Sequence, residues 1–111
     1  MLVVNRFRVA GHSAGADDAD AALRTDLQAA LDLLSTRPGY LHGAVGRNLD
    51  EPDLWVLTTR WESVGAYRRA LSSYDVKLAV VPTLSRALDE PGAFEIVTPD
   101  SVLNVAETRV T

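Results

Sequence analysis

The sequence has 111 residues, 47% hydrophobic and 23% charged, with a formal net charge of −4, a pI near 5.0 and no cysteine. That size predicts a single domain, 1–111; the absence of a basic stripe argues against nucleic acid, and the absence of cysteine excludes disulfides and thiolate metal sites and fits a reducing cytoplasm. No apolar run approaches the roughly 20 residues that span a membrane, and the run at Met1 to Val4 is too short for a signal peptide.

Leu2 to Ala10 reads as the first strand. Strand side chains alternate between faces, so Val3, Asn5, Phe7 and Val9 share one face and Leu2, Val4, Arg6 and Arg8 the other. Asn5 is the one polar residue on its face. GHSAGA, 11–16, reads as a loop holding His12. Asp17 to Ser35 reads as a helix: Asp17, Asp18 and Asp20 load its first turn, and Leu23, Leu27, Ala30, Leu31 and Leu34 form its apolar stripe. Arg37-Pro38-Gly39 ends it, because proline disfavours helical backbone in the residue before it. Tyr40 to Asn48 reads as a second strand, with Gly43 and Gly46 as marks of a bulge or a close approach.

Leu49 to Asp53 reads as a hairpin turn. The next stretch, DLWVLTTRWESVGAYRRAL from Asp53, changes period part-way. Leu54 to Trp61 is rich in β-branched, aromatic and aliphatic residues and reads as a strand. From Ser63, apolar residues at Val64, Tyr67, Ala70 and Leu71 follow helical spacing, with Ser63 as cap. Asp75 to Val81 and Thr83 to Leu88 read as short helical pieces broken at Pro82. Ala93 to Val97 reads as a fourth strand, which closes a core of 1–97. The remainder, 98–111, reads as a short strand or a tail from Val102.

The order β-α-β-β-α-β predicts an α+β, ferredoxin-like split βαβ fold: one antiparallel sheet with helices on one face. The strands are apolar on both faces, and two helices cover only one. A second copy of the sheet is the simplest cover. The expectation is a homodimer packed sheet to sheet, with the C-terminal segment placed to cross to the partner.

The residues PGYLHGAVGRNLDEPDLWVLTTRWESVGAYRRAL resemble the antibiotic biosynthesis monooxygenase family, whose members are dimeric α+β barrels. The resemblance rests on Pro38-Gly39-Tyr40, Trp61-Glu62-Ser63 and Ala66-Tyr67, with VVNRFRV at the start. It implies a cofactor-independent monooxygenase acting on a small aromatic or polyketide-like molecule, with no metal or other cofactor. Asn5, Trp61 and Tyr67 would then be the catalytic residues. Phe7, His42, Tyr74 and Arg86 would contact substrate. In this reading Asn5 and the Trp61 indole N–H donate to a substrate oxygen, Phe7 supplies an apolar wall, and Tyr67 orients the ligand or relays a proton. The haem-degrading branch of the family places a tryptophan and a histidine where this chain has Ala70 and Ala79. A non-catalytic, ligand-binding or stress-related protein of the same fold is the alternative.

Overall fold

The computed structural model describes residues 1–9 and 16–103. Its elements are β1 (Leu2–Arg8), α1 (Ala16–Leu34), β2 (Tyr40–Arg47), β3 (Leu54–Trp61), α2 (Val64–Ser72), α3 (Tyr74–Ala79), α4 (Val81–Leu84) and β4 (Ala93–Phe94). The strands form one antiparallel sheet in the order β2-β3-β1-β4, the ferredoxin-like arrangement expected. No helix among the described residues is long and apolar enough to cross a membrane.

The core lies between the sheet and the helices. Val3, Phe7 and Val9 of the first strand segment, with Trp55, Leu57 and Trp61 of β3, are buried against Leu23, Leu27, Ala30 and Leu34 of α1 and Ala66 and Ala70 of α2. Val76 and Val80 close the same cluster from α3 and its C-terminal end. Among the described residues no helix covers the opposite sheet face. Its central rung runs Ala44, Thr58, Val4, and its neighbouring rung Gly46, Val56, Arg6. Arginines stand around it: Arg6 pairs with Glu90 at 2.8 Å and Arg8 with Asp53 at 2.8 Å.

Three details differ from the sequence reading. The helical break falls at Val80, and Pro82 lies inside α4, near its start. The first turn of a helix has no internal partner for its N–H groups, so proline is tolerated there. β4 is two residues long, not five. Phe94 lies opposite Leu2, the first residue of β1, and the ladder between the two strands ends there. In β2 the irregularity in register falls between Tyr40 and His42, not at a glycine. Gly43 instead marks a close approach, since a Cβ there would overlap Leu31 Cδ1 of α1 and meet the Tyr40 hydroxyl. Val102 and Leu103 carry no regular structure, and the rest of the C-terminal segment and His12 lie outside the described residues.

Candidate functional site

The residues that carry the family resemblance meet at one corner, where β3 hands over to α2. Ser63 has extended backbone, and its Oγ accepts from the Ala66 N–H at 3.1 Å, which starts the helix. The Glu62 N–H donates to the Gly39 carbonyl at 2.8 Å. Gly39 has a φ of 88°, the left-handed region that favours glycine, and an added Cβ would overlap Ala66 Cβ. Trp61 fills the corner. It is 1% exposed. Its indole N–H donates to Thr59 Oγ1 at 2.8 Å. Tyr40 meets its ring edge-on at 5.6 Å, and Tyr67 lies tilted against it at 5.5 Å. This geometry departs from the expected donation by Trp61 to a substrate: the N–H is already engaged and the ring is closed off. The Thr-x-Trp spacing carries the signal for that bond, because residues two apart on a strand share a face.

Burial of the Tyr67 phenol raises its pKa above the ordinary value of 10.0. The group therefore stays protonated at neutral pH and cannot act there as a base. The folded chain holds this proton more tightly than the unfolded chain. Its contribution to stability is fully present below about pH 10 and is lost as pH rises through the higher folded value. Urea unfolding is expected to show an alkaline decline from about pH 10 upward that is shallower in Tyr67→Phe. Superimposable pH profiles for parent and variant would refute it.

The second predicted group sits further along the sheet. Asn5 and Phe7 lie on the helix-covered face, opposite Leu57 and Trp55. Asn5 is half-buried, and its side-chain amide makes no hydrogen bond to any described residue. Trp61 is four residues from Leu57 along β3, about 13 Å at strand spacing. The structure thus brings Asn5 to Phe7 and Trp61 to Tyr67, but leaves the two pairs at different ends of the face. Phe7 and Arg86 come together in a cleft of about 190 Å³ that Arg8, Val9, Ala19 and Leu23 complete. Arg86 pairs there with Asp26 of α1 at 2.8 Å, at the surface. His42 is exposed on the uncovered face, opposite Arg60, and so is separated from Asn5 by the sheet. Tyr74 is 75% exposed at the start of α3 and meets no other candidate. Ala70 is buried in α2, and Ala79 is exposed in α3.

A family model for antibiotic biosynthesis monooxygenases matches residues 1–81. The chain belongs to that family. The match takes in all of the corner around Trp61, and β1, where Asn5 and Phe7 stand. Among solved structures, this family member is similar to SnoaB, a cofactor-independent oxygenase from Streptomyces nogalater, at 22% identity and a TM-score of 0.62 over 78% of this chain and 80% of that one. It is similar to Rv0793 from Mycobacterium tuberculosis at 21% identity and a TM-score of 0.65, covering 90% of this chain and 97% of that one. PA3566 from Pseudomonas aeruginosa follows at 14% identity and a TM-score of 0.59, covering 86% and 93%. At these identities the likeness is one of fold. No curated protein matches the chain.

Proposed function

We propose that this monooxygenase-family chain oxidises a small aromatic or polyketide-like substrate with dioxygen and without a cofactor. The observation that carries this reading is the Asn5 amide: a half-buried polar group without a described partner, beside the buried Phe7 ring on the helix-covered face. A half-buried amide in that setting keeps donor and acceptor capacity for a ligand. The substrate would bind as its enolate or phenolate, with its oxygen taking the Asn5 N–H and its ring against Phe7. The anion passes one electron to dioxygen. The resulting substrate radical and superoxide join to form a carbon–oxygen bond. Protonation gives a hydroperoxide, and loss of water from it leaves a carbonyl, so a CH2 group and O2 become C=O and H2O. The protein's share is orientation and stabilisation of the anion. Trp61 and Tyr67 act in this scheme as the packed end wall.

The functional unit is proposed to be a homodimer, with the uncovered sheet face buried against its copy. Support comes from the uncharged centre of that face, formed by Val4, Val56 and Ala44 around Thr58, and from the lack of any described helix over it. The second reading, a non-catalytic ligand-binding barrel, is favoured by the engaged Trp61 N–H and the distance between the two candidate pairs. Haem degradation ranks behind both, given Ala70 and Ala79.

Oxygen uptake with anthrone-like and quinol substrates separates the first two readings. Asn5→Ala is expected to lower turnover about 100-fold, the scale of losing one oriented donor, while stability stays within about 0.5 kcal/mol of the parent. Equal turnover in Asn5→Ala removes Asn5 from the site. No oxygen uptake with any substrate leaves the binding protein as the reading.

A further inference from the structure

A second cleft lies on the other side of α1, between that helix and the edge strand β2. Its volume is about 450 Å³, and Arg24, Gln28, Val45, Gly46, Arg47 and Trp55 line it. Arg24 and Gln28 are one turn apart on α1 and point to the same side. Neither has a hydrogen-bond or ion-pair partner among the described residues. Trp55 is 4% exposed, and its indole nitrogen is buried without a partner. A buried indole N–H normally finds an acceptor, and leaving it unpaired is costly. Phenylalanine would fill the same apolar ground without that cost. The contrast with Trp61 is internal: the chain has two tryptophans, and Trp61 is satisfied by Thr59.

We propose that this cleft binds a small aromatic carboxylate, held by Arg24 and by the Trp55 indole N–H. The free polar groups there are donors, apart from the oxygen of the Gln28 amide, and the carboxylate of Asp20 is already bonded to Arg47 at 3.0 Å. Two arginines against one aspartate leave the cleft positive. A guanidinium fork matches the two coplanar oxygens of a carboxylate, and charge-assisted bonds of this kind are strong. Val45 and the stem of Arg47 give an apolar wall for the ring, which a bare phosphate would leave uncovered. The Arg47 guanidinium lies 5.5 Å from the centre of the Trp55 ring and is the group that must yield to open the N–H. It is held by an ion pair with Asp20 at the surface, which is weak, and by donation from its Nε to the Pro52 carbonyl, and both contacts must release. This site shares no lining residue with the Phe7 and Arg86 cleft and does not depend on oxygenase activity.

The test is a titration of the full-length, 15N-labelled chain with benzoate, read at its two indole N–H resonances. The Trp55 signal is expected to move saturably while the Trp61 signal stays. Arg24→Gln is expected to weaken binding about tenfold or more, the scale of one lost charge-assisted hydrogen bond. Arg24 is exposed, so the variant should fold. Inorganic phosphate at the same concentrations should give no saturable shift. An unmoved Trp55 signal, equal affinity in Arg24→Gln, or an equal response to phosphate would each overturn the proposal.

Discussion

Gly39→Ala is expected to destabilise the fold by about 3 kcal/mol. Two costs add at this position. A backbone φ of 88° strains any side chain, and the new Cβ would overlap Ala66 Cβ across the corner. The neighbourhood cannot give way easily. Ala66 is buried, the Gly39 carbonyl is held by the Glu62 N–H, and Tyr40 is pinned against the Trp61 ring. Urea unfolding should show a lower midpoint with an unchanged slope. Adding Ala66→Gly should recover the overlap but not the strain, so the double variant should be more stable than the sum of its parts. A Gly39→Ala protein within about 1 kcal/mol of the parent would contradict this account of the corner.

Thr58→Arg is expected to break the proposed homodimer while leaving each chain folded. Thr58 stands at the middle of the uncovered face, between Ala44 and Val4. On a free chain an arginine there reaches solvent. In the dimer it meets a partner's copy of the same face, where an uncompensated buried charge costs about 3–5 kcal/mol. The nearby Arg60 and Arg6 add like charge. The dimer Kd should rise by about 100-fold or more. Sedimentation velocity at micromolar concentration should find the parent a dimer and the variant a monomer with unchanged circular dichroism. A monomeric parent, or a variant that remains dimeric, would dismiss the sheet-to-sheet assembly.

The architecture was legible because each element carried its own period and punctuation. Ser63 before a helical pattern, Pro38 after one, and β-branched residues from Leu54 to Trp61 are local signals, and local bonds realise them. The length of β4 was not local. It depends on where Phe94 meets Leu2, and pairing register between distant strands is not written in either strand alone. The site was less legible for the same reason. Asn5 and Phe7 share a face by simple alternation, and so the sequence placed them together. Trp61 and Tyr67 were placed with them by kinship of residue type, yet their separation depends on register with β1. The pairing of Arg47 with Trp55 across β2 and β3, and the unpartnered indole it leaves, had no sequence signal at all.

The short β4 has an outcome for how a molecule enters. Beyond Leu2 and Val3, the outer edge of β1 is tied to the following chain by two backbone bonds: Val4 N–H to the Gly92 carbonyl at 2.7 Å, and Leu88 N–H to the Arg6 carbonyl at 2.7 Å. Asn5 stands between those ties, and the chain at Gly92 passes beside its amide. Releasing these two bonds and the Arg6–Glu90 ion pair frees this flank without disturbing the ladder between β1 and β3. Segments held by few contacts open at the low end of the free-energy scale. The flank of 88–92 is therefore the proposed route to the covered face, and amide exchange at Val4 should time its opening.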